Sequence, residues 1–122
     1  VASHRDLGIR GERLAASHLE RLGYTILERN YRSGRREVDL VVGLGDTVAF
    51  VEVKTRAGQG FGHPLEAITA LKRREVERVA VRWQQRNGRP GQHYRFDAVG
   101  VLIEDNAAPV IEHIPDAWRL GE

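Results

Sequence analysis

Between Glu37 and Thr55 the chain carries two β-branched runs, EVDLVV and TVAFVEVKT, joined by Gly43, Leu44, Gly45 and Asp46. Such runs on either side of a short Gly-rich link predict a β-hairpin. Alternate residues of a strand share a face, which puts Glu37 and Asp39 together on the first strand. On the second strand Val48, Phe50, Glu52 and Lys54 share one face, with Ala49, Val51 and Val53 on the other. Both faces are apolar as far as Val51, the pattern of a strand covered on both sides. A carboxylate and an ammonium at the end of such a strand need a reason to be there.

The flanking segments read as a layered α/β chain. Asp6 to Leu22 predicts a helix with an apolar stripe of Leu14, Ala15, His18, Leu19 and Leu22, stopped by Gly23. Glu12 precedes Ala15, Ala16 and Leu19 at helical spacing, on the core-facing side. It is either a first-turn acid favoured by the helix dipole or a carboxylate aimed at the sheet. Tyr24 to Arg29 predicts a strand, and Asn30 to Arg36 a turn with three arginines. That turn is either a solvated loop or a phosphate-holding one in which Tyr31 stacks on a base.

Residues 55–62, TRAGQGFG, predict a flexible loop and match neither GxGxxG nor GxxxxGK. From Pro64 a long helix is expected to run to about Arg86, with a stripe of Leu65, Ile68, Lys72, Val76, Val79 and Trp83. Lys72 within that stripe either snorkels to the surface or is held near buried carboxylates or a substrate phosphate. Asn87 to Gln92 is a turn cluster, and Tyr94 to Ile103 predicts a strand with Asp97 on the face of Val99 and Val101. Asp97 either pairs with an arginine or caps backbone, or it binds metal. Pro109 to Ile114 predicts an edge strand, and Asp116 to Leu120 a short terminal helix.

At 122 residues the chain, 1–122, reads as one domain with a single core and no internal repeat. No apolar run approaches the roughly 20 residues of a membrane span, and no signal-peptide pattern is present. The chain lacks an initiator Met, as expected of a trimmed one. The absence of cysteine excludes disulfides and thiolate metal sites and fits a cytoplasmic protein. The five histidines lack zinc-ligand spacing. A net charge of +2 permits a polyanionic partner without demanding one. Of the 19 basic residues only Lys54 and Lys72 are lysine, which marks them as positions suited to a compact point charge instead of a planar fork.

With Asp39 and Glu52 side by side on paired strands, two charges ~5 Å apart repel by about 3 kcal/mol at an effective dielectric of ~20. Desolvation adds to the cost, so cations must offset it or one acid must stay protonated. Lys54 supplies one positive charge. The remainder comes from a hard divalent ion, since Mg²⁺ takes carboxylates, waters and phosphate oxygens, or the group is a buried ion cluster with no chemistry.

Asp39 followed by Glu52-Val53-Lys54 resembles the PD-(D/E)xK nuclease superfamily, particularly archaeal Holliday-junction resolvases, which also place a Glu in the preceding helix, as Glu12 is placed here. The longer text GIRGERLAASHLERLGYTILERNYR, EVDLV, AFVEVKTR, FGHPLEAITALKRR and RFDAV is similar to the small bacterial endonuclease-like family called YraN-like, from about Gly8 to Val101. Arg36 departs from the pattern, standing where that family typically has Gly.

The resemblance implies a mixed central sheet flanked by helices in the order α-β-β-β-α-β-β. It implies that Asp39 and Glu52 ligate Mg²⁺, or Mn²⁺ as its substitute, with the Val53 carbonyl as a third ligand. Lys54 would help activate the attacking water or steady phosphate charge, and Glu12 would complete the acidic cluster or position a second ion. Glu37 and Asp97 are supporting candidates. Arg32, Arg35, Arg36, Arg56, Lys72, Arg73 and Arg74 are candidate backbone contacts, and Tyr31 and Phe61 candidate stacking residues. The expected function is Mg²⁺-dependent hydrolysis of DNA phosphodiester bonds, at branched or non-duplex structures, with a homodimer suited to cutting two strands. The alternative is a non-catalytic nucleic-acid-binding module within a larger DNA-processing or uptake assembly.

Overall fold

The hairpin forms and is longer than its β-branched runs. In the computed structural model, which describes residues 3–58 and 64–122, β1 spans Thr25–Ser33, β2 Arg36–Leu44 and β3 Thr47–Ala57. β2 and β3 pair antiparallel from Leu44↔Thr47 to Leu40↔Val51. Gly43 and Leu44 belong to the strand, so the link is only Gly45-Asp46, with Gly45 at φ 58°, the first central position where a II′ turn requires glycine.

The expected turn over Asn30 to Arg36 is corrected. Asn30, Tyr31, Arg32 and Ser33 continue β1, which pairs antiparallel with β2 as far as Ser33↔Arg36. Only Gly34-Arg35 turns, with Gly34 at φ 63°. Charged residues are poor strand formers alone, but the valine-rich β2 offers them a partner. Arg36 opens β2, and Gly34 carries the turn.

Helix α1 (His4–Arg21) begins at the Ser3 N-cap, whose side chain accepts from the Asp6 N–H. The expected helix from Pro64 is also corrected. Pro64–Ala67 is a 3-10 turn, and α2 runs Ala70–Asn87 from the Thr69 N-cap, whose hydroxyl accepts from the Lys72 N–H. A threonine that bonds the backbone three residues on interrupts a helix as readily as it starts one. β4 (His93–Ile103) then lies parallel to β3, and β5 (Val110–Trp118) antiparallel to β4. The short helix expected at Asp116 is strand instead: Asp116 adopts φ 52°, and Trp118 pairs with Phe96 and stacks on it at 5.3 Å between ring centroids. Burying that indole outweighs the local helical preference.

Among the described residues the sheet order is β1-β2-β3-β4-β5, mixed, with α1 on one face and α2 on the other. Leu40, Val42, Ala49 and Val51 pack against Ala15, Ala16 and Leu19 of α1. Val41, Val48 and Phe50 pack against Val76, Val79 and Trp83 of α2. β3 is buried on both sides from Val48 to Val53, as its sequence predicts. Among the described residues no helix is long and apolar enough to cross a membrane.

Gly11 sets how closely α1 lies on β3. A Cβ there would run into the Thr55 side chain, 2.8 Å from its Cβ and closer to its hydroxyl. Gly11→Ala is expected to destabilise the fold by about 1–3 kcal/mol, measured by urea unfolding. Thr55→Gly should recover part of the loss; equal losses in the single and double variants would locate the cost elsewhere.

Candidate metal centre

The β2–β3 ladder ends at Leu40↔Val51, while β3 continues along β4 to Ala57↔Ile103 and β2 along β1 to Arg36. One register step past the last pair brings Asp39 to Glu52. There the Val53 N–H donates to Asp39 Oδ2 at 2.8 Å. Face alternation also breaks at this point, since Val38 and Val41 pack on the α2 side but Leu40 and Val42 on the α1 side. The break falls between Val38 and Leu40, at Asp39 itself, whose carboxyl feels the charge of Glu37.

Glu52 is 2% exposed. Its Oε2 lies 4.0 Å from Lys54 Nζ and 3.8 Å from Lys72 Nζ, and its Oε1 is buried with no hydrogen-bond partner. Burial pushes the Glu52 carboxyl up to about 9, reinforced by the Asp39 charge and a hydrogen bond between the two carboxyls, with Lys72 and Lys54 opposing. Burial raises Asp39 as well, against the Val53 N–H, Glu52 and Lys72. Burial thus opposes ionising both acids together. Lys72 is the cation held among buried carboxylates, with Glu75 Oε2 also 3.9 Å away.

Glu12 and Glu37 form a second tier joined by a residue that the sequence reading missed. Asn30 Nδ2 donates to Glu12 Oε1 at 2.8 Å and to Glu37 Oε1 at 2.9 Å, using both amide protons. Arg32 Nε meets the other oxygen of Glu37 at 3.0 Å. Asn30 sits at φ 51°, a conformation that asparagine tolerates better than most residues. Burial raises Glu12, which Asn30 counters and Asp39 and Glu37 reinforce. The signal was an asparagine amid charged residues, but its partners are distant in sequence.

Asp97 stands apart from this group. It aligns with Val51, on the face opposite Glu52. Arg95 grips it through Nε at 2.8 Å and Nη2 at 2.9 Å, His113 Nε2 lies at 2.8 Å and the Asp116 N–H at 3.0 Å. Burial would raise its carboxyl, but His113, Arg95 and Asp116 hold it below the usual value. This is the arginine-paired, backbone-capping alternative. Arg73 lies over the Trp118 ring at 5.6 Å, and Arg74 bonds Glu77 and the Glu122 carbonyl, so both are turned toward β5. Arg35 is exposed in the β1–β2 turn, and Arg36 and Arg56 are exposed near the ends of their strands. Tyr31 packs against the core, its hydroxyl accepting from Arg86 Nη1 at 3.3 Å; Phe61 lies outside the described residues.

Among the described residues no three His, Asp or Glu side chains surround a common point. The donor set still fits a hard divalent cation, which needs only one or two carboxylates beside water and substrate oxygens. An unpartnered buried oxygen on Glu52 next to a second carboxyl is the feature such an ion would satisfy. Asp39 and Glu52 would hold it, with the Val53 carbonyl close by in sequence.

The model of the uncharacterised protein family UPF0102 matches residues 11–101, which contain every residue of this site. The chain belongs to the UPF0102 family. A UPF0102 protein of Rhodococcus jostii (strain RHA1) is 45% identical over 118 residues, covering 97% of this chain and 100% of its own length. One from Geobacter sulfurreducens is 46% identical over 115 residues, covering 94% and 90%. One from Clavibacter michiganensis is 45% identical over 117 residues, covering 96% and 99%.

Because Glu52 rises from 4.5 to about 9 on folding, the folded chain keeps a proton that the unfolded chain releases. Its contribution to stability is full below pH 4.5 and is lost as pH rises through about 9. In chelator-treated protein, Glu52→Gln is expected to raise stability by about 1–3 kcal/mol at alkaline pH and to narrow that gain toward pH 5. Urea midpoints across the range measure it. A gap independent of pH would mean that Glu52 is already ionised in the fold.

Proposed function

We propose that this UPF0102 protein is a Mg²⁺-dependent nuclease of the PD-(D/E)xK type, hydrolysing DNA phosphodiester bonds at branched or otherwise non-duplex sites in the cytoplasm. The observation that carries the reading is the half-buried Asp39 beside the buried Glu52, whose Oε1 has no hydrogen-bond partner, bordered by two lysines. A fold gains nothing in stability from placing two acids where burial opposes their ionisation. Sites that keep such pairs are commonly those that use them.

When bound, the divalent ion would lower the pKa of a coordinated water and neutralise charge on the phosphoryl group. The residues of the chain do the remaining work. Asp39 and Glu52, both ionised, would present a dianionic oxygen surface to that ion. Asp39 stays oriented through the Val53 N–H. Lys54 and Lys72, both within about 4 Å of Glu52 Oε2, are placed to donate to a non-bridging phosphate oxygen or to the attacking water. Glu12, positioned through Asn30, adds negative charge on the α1 side and so favours cation entry. A homodimer would bring two such sites to two strands.

The modest net charge of +2 favours the second reading, a binding module that holds nucleic acid for a partner without hydrolysing it. One experiment separates the two. Purified protein is incubated with labelled branched, single-stranded and duplex DNA in Mg²⁺ or Mn²⁺. Cleavage is expected, and Asp39→Ala or Lys54→Ala should reduce it by about 10²-fold or more while circular dichroism shows an intact fold. Activity surviving both substitutions would belong to another centre or a contaminant; salt-sensitive binding without hydrolysis would establish the module.

A further inference from the structure

The β1–β2 turn curls against α2 and leaves a cleft of about 500 Å³ lined by Ser33, Gly34, Arg36, Arg78, Arg82 and Gln85. Its wall on α2 carries Arg78 and Arg82 one turn apart, and its wall on the hairpin carries Arg36. Val79, fully buried, forms part of the floor. These three arginines differ from most others near the sheet. Arg32, Arg74, Arg95 and Arg119 each hold a carboxylate within 3.4 Å. Among the described residues, no ion pair or hydrogen bond engages the side chains of Arg36, Arg78 and Arg82, and all three are exposed.

Three unneutralised guanidiniums around one concavity repel one another, a cost that an anion in the cleft would relieve. The planar five-donor guanidinium suits phosphate oxygens, and Ser33 and Gln85 add neutral donors. Both walls also lead back to the metal centre. Arg36 is three strand residues from Asp39, about 10 Å, and Arg78 is six helical residues from Lys72, about 9 Å. The Arg86–Tyr31 hydrogen bond, one turn past Arg82, ties the hairpin to α2 and keeps the walls together.

The geometry points to this cleft as a backbone-binding groove for a single nucleic-acid strand, gripping phosphates about one or two nucleotides from the one at Asp39 and Glu52. A volume of this size accommodates a segment comparable to a small ligand, one strand and not a duplex. The groove rests on the nuclease reading, to which it adds a path for the strand and a direction of entry between the hairpin and α2. Its contacts go to phosphates, so it grips any sequence equally.

Anisotropy of a labelled single-stranded DNA of ~20 nucleotides, titrated in EDTA from about 50 to 300 mM salt, tests it. Wild-type protein is expected to bind with a steep salt dependence. Arg78→Gln with Arg82→Gln should weaken binding about tenfold at low salt and flatten the log–log slope by roughly 0.7 per lost contact. Arg36→Gln should do the same to a smaller extent, while Arg89→Gln, in the loop beyond α2, should bind like wild type. If the groove variants match wild type while wild type binds tightly, the strand runs elsewhere and the groove assignment is wrong, with the nuclease reading intact. If wild type itself binds no single-stranded or branched DNA, the nuclease reading fails and takes the groove with it.

Discussion

Where the β2–β3 ladder stops, the Val53 N–H donates to a side chain, Asp39, at 2.8 Å. That bond holds Asp39 at the end of the paired region and therefore against Glu52, which β3 carries into the core at 2% exposure. Two carboxyls in that position cannot both ionise cheaply, and lysines about 4 Å away do not outweigh the desolvation. The surrounding core makes the strain tolerable. Phe50, Leu40, Val51 and Val99 are essentially inaccessible to solvent, so β3 keeps its place whatever the protonation of its last acid.

All three layers contribute to the site, and small local devices aim them. On the α1 side, Gly11 lets the helix settle on Thr55, which brings Glu12 within reach of Asn30. On the α2 side, the Thr69 cap decides where the helix begins and so puts Lys72 in its first turn. A cation there is opposed by the helix dipole, and it is held by Glu52 and Glu75 on either side. A single helix running unbroken from Pro64 would place Lys72 deep within it, with different neighbours. The break at Thr69 is thus part of the site and not merely of the fold.

The central part of this arrangement was legible in the sequence because it depends on strand periodicity. Val48, Phe50, Glu52 and Lys54 do share a face, β3 is buried on both sides, and Lys72 interrupts an apolar stripe as a buried partner would. The parts that were illegible depend on contacts far apart in the chain. Asn30 to Ser33 have the composition of a loop and become strand because Val38, Glu37 and Arg36 of β2 lie opposite. Asn30 acquires its role from Glu12, eighteen residues away. Asp97, one acid among several in the text, is claimed by Arg95, His113 and the Asp116 backbone on the face away from Glu52. Trp118 overrides a helical tail by stacking on Phe96.

Net charge is a poor guide to how this surface treats an anion, because location decides which charges remain available. Over the whole chain 19 basic residues face 17 acidic ones, nearly balanced. Yet the acids near the sheet are mostly occupied: Glu37 by Arg32 and Asn30, Glu77 by Arg74 and Trp118, and Asp97 by Arg95 and His113. The Asp39–Glu52 pair itself lies beside Lys54 and Lys72, each about 4 Å from Glu52 Oε2. The arginines left over, among them Arg36, Arg78 and Arg82, lie on the hairpin and α2, so a nearly neutral protein presents a positive stretch of surface there. On the nuclease reading proposed above, burial that opposes full ionisation of those acids limits their repulsion of a phosphate, and a bound cation would offset the rest.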